Sequence, residues 1–294
     1  MTWQSRGERV PVAASPSAEP RRLFVVQEGQ GPDLLLLHGF PTSSWDWVQV
    51  LPGLAARFRC LAPDFLGFGF SDKPHPHAYS ILEQADLVET LLVDRGIHEL
   101  HVLAHDYGDT VAQELVARDL ERPHGERRLR SVCFLNGGLF PETHRMRPVQ
   151  RLLRTPLGPM MARWFAKTSF YRSFPRVFSP TARPSPAQLD AFWSTIAAHE
   201  GPRVFPSLIG YIAERRRHRT RWVEAILEPP MPVQIINGSL DPVSGAHMVQ
   251  RFLELGGLAA IDELADVGHY PQVEVPDRVL SAFFGWHDAI AAGM

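Results

Sequence analysis

Short β-rich runs alternate with helical patterns along most of this 294-residue chain, and that alternation limits the fold more than any other feature. Strands separated by helices pair in parallel, because the chain must cross over to return to the same edge, and the helices then cover both faces of the sheet. The predicted strands are Leu23 to Gln27, Leu34 to His38, Arg59 to Ala62, Leu100 to His105, Ser131 to Leu135, Val233 to Ile236 and a weaker Ala260 to Leu264. A helix is predicted between the third and fourth. Ser80 and Glu83 have the spacing of a capping box, and Ile81, Ala85, Val88 and Leu92 mark its buried stripe. The fold class is therefore α/β, a mostly parallel, doubly wound sheet. With 45 % hydrophobic residues the chain can bury such a core and one insertion.

The alternation stops after Gly137-Gly138. From 141 to 230 the chain is rich in arginine, proline and aromatics (Trp164, Phe165, Phe170, Tyr171, Phe174, Phe178, Phe192, Trp193, Tyr211, Trp222), with helical periodicity and no convincing strand. This interval reads as a helical cap inserted into one connection, over the carboxyl ends of the strands where open α/β sheets place ligands. Residues 1–20 have the composition of a flexible tail, 21–140 and 231–294 form the two parts of the core, and 141–230 form the cap.

A formal charge of −2 gives no reason to expect nucleic acid as a partner. The basic run Arg215 to Arg221 accordingly reads as a solvated helix face paired with local acids. Cys60 and Cys133 sit in apolar runs without metal or redox spacing and read as core residues, so neither a metal nor a cofactor is expected. No stretch has the length of a membrane span, and the opening lacks the apolar block of a signal peptide, which makes the cytoplasm the expected address. Oligomeric state is open.

The chemistry centres on Ala104-His105-Asp106-Tyr107-Gly108, directly after a strand and before a helical pattern predicted from Thr110 to Arg118. Small residues two before and two after Asp106 allow a sharp elbow that lifts its side chain clear of the sheet. A carboxylate is ionised at neutral pH and needs no base to attack a saturated carbon. Asp-x-Gly at a strand end is also an ordinary turn. Four further segments argue for the elbow. The turn His38-Gly39-Phe40-Pro41 can aim the Phe40 N–H at it, forming an oxyanion hole with the N–H of Tyr107, while the His38 side chain reads as structural. The loop Asp64 to Pro74 reads as a tight frame without chemistry. Asp241 follows the strand after the cap, and His269 follows the last strand. The order is nucleophile, acid, base.

These motifs identify a resemblance. Leu37 to Ser44, Asp64 to Pro74, His105 to Asp109, Asn136 to His144 and His269 to Gln272 resemble the α/β-hydrolase superfamily, in the aspartate-nucleophile group of epoxide hydrolases and haloalkane dehalogenases. The chain is most similar to the mesoderm-specific transcript branch of that group. The resemblance implies an α/β-hydrolase fold with a helical cap and a triad of Asp106, Asp241 and His269. It also implies an alkyl-ester intermediate on Asp106, hydrolysed by water that His269 activates. The expected partners are water and a small apolar electrophile, an epoxide or an alkyl halide.

Tyr211 lies where epoxide hydrolases carry a ring-opening tyrosine, although a packed aromatic on a helix explains it too. Tyr171 and His144 are candidates for a second proton donor. Tyr107 stands where dehalogenases typically place a halide-binding tryptophan, and Phe40 where many carry a polar side chain, so epoxide hydrolysis is the expected reaction. Haloalkane dehalogenation is the alternative. A ligand-binding or signalling protein that keeps an old hydrolase pocket is the reading of another class.

Overall fold

The computed structural model describes residues 2–163 and 167–293; Trp164 and Phe165 of the aromatic-rich interval lie outside the described residues. Eight strands form one sheet: β1 (Gly7–Val12), β2 (Arg21–Glu28), β3 (Asp33–Leu37), β4 (Arg59–Pro63), β5 (Leu100–His105), β6 (Leu129–Leu135), β7 (Val233–Gly238) and β8 (Ala260–Leu264). Their spatial order is β1-β2-β4-β3-β5-β6-β7-β8. The β1–β2 and β2–β4 pairs are antiparallel and the remaining pairs parallel.

Every strand of the sequence reading is present. β1 is the addition, and it corrects the flexible-tail reading of 1–20. Composition hid it because Pro11 interrupts the run, yet an edge strand tolerates a missing N–H. The tail is tied down ahead of the strand as well. Trp3 is buried and donates from Nε1 to Ser44 Oγ at 3.1 Å, and Arg6 forms a two-pronged pair with Glu28.

The apolar strands feed two cores. In β3, Leu35 and Leu37 face one cluster with Ala85, Val88 and Val111, whereas Leu34 and Leu36 face another with Leu54, Val279 and Phe283. Alternation along a strand sends successive side chains to opposite faces, so a continuous apolar run requires helices on both. The first layer contains α2 (Ile81–Asp94), α3 (Tyr107–Glu121) and α11 (Ala246–Glu254). The second contains α1 (Leu51–Ala55) and α13 (Pro276–Ala292). Between β7 and the C-terminal end, α12 (Pro271–Glu274) follows the last strand. No described helix is long and apolar enough to cross a membrane.

Between β6 and β7 the described chain is helical: α4 (Pro148–Leu153), α5 (Gly158–Arg163), α6 (Lys167–Ser173), α7 (Pro186–Ala197), α8 (Phe205–Leu208), α9 (Tyr211–Arg217) and α10 (Arg219–Leu227). Its aromatics Phe170, Phe174, Phe192, Tyr211 and Trp222 belong to the same apolar cluster as α2 and α3, so this insertion shares the core. Polar ties fix it. Glu114 of α3 accepts from Trp222 Nε1 at 2.7 Å and from Arg221 Nε at 2.8 Å, and Gln113 donates to the Trp222 carbonyl at 3.2 Å. Glu214 of α9 accepts the Ile81 N–H at 2.7 Å, placing a carboxylate at the amino end of α2. The capping box at Ser80 is half formed. Ser80 Oγ accepts the Glu83 N–H, but the Glu83 carboxylate turns to His77, with Nε2 at 2.8 Å.

Candidate active site

The elbow begins from steric necessity. Asp106 has φ 51° and ψ −102°, left-handed backbone for a non-glycine residue, which costs on the order of 1–3 kcal/mol. Gly108 makes the turn feasible, because a β-carbon there would enter the space of the Leu37 and His38 carbonyls. Helix α3 therefore starts at Tyr107, three residues before the predicted Thr110, immediately after the strained residue.

The two oxygens of Asp106 have different surroundings. Oδ1 accepts the Phe40 N–H at 3.0 Å, and Oδ2 faces His269 Nε2 at 3.5 Å. The Phe40 turn is held from beneath: Asp46 Oδ2 accepts from the Gly39 N–H at 3.3 Å and from Thr42 Oγ1 at 2.6 Å. Tyr107, the other expected oxyanion donor, is the first residue of α3, where an N–H lacks an intrahelical acceptor.

His269 Nδ1 lies 2.7 Å from Asp241 Oδ2, which also accepts from Asn136 Nδ2 at 3.1 Å and Ser244 Oγ at 2.9 Å; Oδ1 takes the Val243 N–H at 2.7 Å. Both protein groups on either side of this imidazole are thus carboxylates. The His269 backbone is clamped too. Its N–H donates to the Val177 carbonyl of the insertion at 2.9 Å, and its carbonyl accepts from His105 Nε2 at 2.8 Å. The strand ends bring Asp106, Asp241 and His269 together as the sequence reading expected.

Electrostatics follow from burial and pairing. Burial opposes a charge on His269, but Asp241 and Asp106 outweigh it and raise the imidazole pKa, so the resting ring is cationic. Burial likewise opposes ionisation of Asp106 and Asp241. His269 prevails at both and holds them below the usual carboxylate range, with Arg215 helping at Asp106. Asp109, one turn along α3, goes the other way: burial first and the Asp106 charge second push it well up, and neither of its oxygens has a hydrogen-bond partner among the described residues. The centre then holds two anions, Asp106 and Asp241, and two cations, His269 and Arg215.

Arg215 corrects the solvated-face reading of the basic run. It is only 2 % exposed. Its Nε donates to Thr110 Oγ1 at 2.7 Å, and one Nη donates to the Asp106 carbonyl at 3.0 Å. Arg219 and Arg221 do pair with acids, Glu142 and Glu114. The overlooked signal was spacing. Tyr211 and Arg215 are four apart on one helix and share a face, and the guanidinium carbon stands 4.6 Å from the Tyr211 ring centre.

Tyr211 is buried, its ring 5.1 Å from that of Tyr107, and its hydroxyl has no hydrogen-bond partner among the described residues. Burial first and the Asp106 charge second raise its phenol pKa, against a smaller opposing effect of Arg215. His144 lies nearby. Its Nδ1 is 3.4 Å from an Arg215 Nη, and its Nε2 is buried without a partner among the described residues. Burial and then Arg215 bring its pKa down to about 3, so the ring is neutral with its proton on Nε2.

Tyr171 is elsewhere. Its hydroxyl donates to Asp190 Oδ1 at 2.6 Å on the outer surface, beside Lys167, so it is not a second proton donor at this site. The exposed carboxylate captured it. His38 is structural, as expected, with Nε2 accepting the Phe65 N–H at 3.0 Å. The Asp64 loop is also a frame: Asp64 accepts from Ser44 and Phe70, and the Ser71 hydroxyl donates to the Asp64 carbonyl. A cavity of about 330 Å³ opens over Asp106 and His269, walled by Phe40, Leu153, Phe170, Phe174 and Tyr270.

Comparison with known proteins agrees with this architecture. Residues 34–282 match the alpha/beta hydrolase family. The mesoderm-specific transcript protein of Mus musculus is 42 % identical over 262 residues, covering 86 % of this chain and 78 % of that one. The putative hydrolase LipZ of Mycobacterium tuberculosis is 41 % identical over 283 residues, 95 % of each chain. Among solved structures, the haloalkane dehalogenase DbeA from Bradyrhizobium elkani superimposes with a TM-score of 0.79 at 24 % identity, covering 98 % of this chain and 100 % of that one. The chain belongs to the alpha/beta hydrolase family, in the branch it shares with the mesoderm-specific transcript proteins.

Proposed function

We propose that this hydrolase uses Asp106 as its nucleophile and opens epoxides to vicinal diols. The observation that carries the reading is the division of labour at the Asp106 carboxylate. Oδ1 rests on the Phe40 N–H, where the carbonyl oxygen of an ester would sit, which leaves Oδ2 to attack. As the Oδ2–carbon bond forms, the epoxide carbon–oxygen bond breaks, and the departing alkoxide takes a proton from the Tyr211 hydroxyl. That the hydroxyl has no hydrogen-bond partner among the described residues and feels the Asp106 charge supports this role.

Esterification removes the negative charge of Asp106, one of the two that hold a proton on His269. The imidazole pKa falls, the ring's proton passes to the phenolate left on Tyr211, and the neutral ring can take a proton from water. The hydroxide attacks the ester carbonyl carbon while Phe40 and Tyr107 N–H groups hold the oxyanion. Collapse expels the diol oxygen, which takes its proton from His269; the Asp106 carboxylic acid left behind returns its proton to the ring, and one oxygen of Asp106 now derives from solvent. Asp241 keeps the ring oriented throughout. The helices of 141–230 act as the cap that excludes bulk water. The free, buried thiols Cys60 and Cys133 fit a cytoplasmic address.

Incubation with styrene oxide and with bromobutane tests the assignment. Diol without bromide is the expected result, and bromide release reverses it in favour of dehalogenation. No product from either, with no heavy-oxygen label entering Asp106 during turnover in labelled water, leaves a binding protein with a hydrolase pocket.

A further inference from the structure

The cavity wall includes two arginines that the chemistry above leaves without a task. Arg147, half-buried, and Arg176, exposed, both line it, and among the described residues of its wall the only acid is Asp106, already engaged by His269. Neither arginine has a carboxylate partner among the described residues. Arg203, Arg219 and Arg221 of the same insertion each pair with a glutamate. The sequence explains the imbalance: between Glu142 and Asp190 there is no acidic residue, while Arg145, Arg147, Arg151, Arg154, Arg163, Lys167, Arg172, Arg176 and Arg183 fall in the interval.

The remaining wall is apolar, with Val149, Leu153, Phe170, Phe174 and Val177 on the insertion side. An apolar chamber whose lining includes arginines without a carboxylate partner among the described residues favours a ligand that combines a hydrocarbon body with a negative charge, since guanidinium binds carboxylate or phosphate in a two-pronged geometry. Low-dielectric walls also focus the field of those charges.

We propose that the ligand of this cavity is an anionic amphiphile, whose apolar chain fills the space above Asp106 and whose carboxylate or phosphate is held by Arg147 and Arg176. The reaction it undergoes rests on the reading of the previous subsection; the binding does not.

The test separates the two. Calorimetric titration of the whole chain with decanoate, decanol and decyltrimethylammonium measures binding without turnover. Decanoate should bind about tenfold or more tighter than decanol, with decyltrimethylammonium weakest, and the preference should shrink as salt rises. Arg147→Gln with Arg176→Gln should remove the decanoate preference and leave decanol affinity unchanged, a control that also reports on folding. Equal affinity for decanoate and decanol overturns the proposal. So does co-sedimentation with phosphatidylglycerol vesicles in place of decanoate binding, which would assign the arginines to a bilayer surface.

In turnover, epoxyundecanoate should have a lower KM than its methyl ester at similar kcat, and the double variant should raise only the KM of the acid. Equal kcat/KM for acid and ester sinks the anionic preference and leaves epoxide hydrolysis standing. Tight binding of decanoate with no diol from either epoxide sinks the hydrolysis and leaves the anionic preference standing.

Discussion

Two pairs of side chains in the candidate site, Asp241 with His269 and Tyr211 with His144, are finished to different degrees. Both Asp241 oxygens are filled by named donors, and His269 is held at its ring and through its peptide N–H and carbonyl. On the insertion side, the Tyr211 hydroxyl and the His144 Nε2 are buried without hydrogen-bond partners among the described residues. A buried polar group normally finds a partner, and leaving one unpaired costs about 1–3 kcal/mol. The contrast teaches that the Asp241–His269 pair is fixed in place by its protein partners, whereas Tyr211 and His144 each keep a polar atom unfilled, as Asp109 does on the strand-end side.

Substitutions can break that contrast. The largest effect belongs to the proposed nucleophile: Asp106→Ala should lower turnover by roughly ten-thousandfold or more, read as diol formation at saturating epoxide. His269→Gln should be nearly as slow in steady state yet form ester at a normal rate in a single turnover, visible by mass spectrometry as an adduct on Asp106. Loss of the adduct as well would mean that the base is needed for attack, and the proposed sequence of steps would fail.

Next comes Tyr211→Phe. It should slow adduct formation by about 10²-fold, with thermal stability unchanged or slightly higher because an unpaired buried hydroxyl is removed. An unaltered rate would return Tyr211 to the role of packed aromatic. Arg215→Met removes two charge-assisted hydrogen bonds and the cation over Tyr211, so a stability loss of about 2–4 kcal/mol is expected in denaturant titration. Arg215→Lys should recover the fold and part of the charge but not the fork to Thr110 and Asp106, leaving a slower attack.

The smallest effect is on the pH profile of stability. His269 has a raised folded pKa, so its contribution is complete below the ordinary value of 6.5 and is lost as pH rises through the folded value. Asp106 and Asp241 have lowered folded values. Their contribution is complete above about 4 and is lost as pH falls through those values. Thermal melts should show a plateau between, and His269→Gln should flatten its alkaline edge.

Local patterns announced what sits at strand ends. Each strand run closes on a loop of glycine and polar residues, so Asp106, Asp241 and His269 could be placed on one edge of the sheet from spacing alone. What escaped depended on long-range partners. Arg215 looked like any member of a basic run until Thr110 and the Asp106 carbonyl, over a hundred positions away in the chain, proved to be its acceptors. Tyr171 was a candidate second proton donor beside Tyr211, but its hydroxyl is taken by Asp190. Strand β1 was masked by Pro11, because edge strands obey weaker rules than central ones.

The peptide of His269 hangs from the Val177 carbonyl, and Val177 is also part of the cavity wall. Whatever presses on that wall is thereby felt by the imidazole. A bound molecule whose tail fits badly should still react with the carboxylate and then linger as its ester, so that selectivity among chain shapes would register in the release of product more than in its capture.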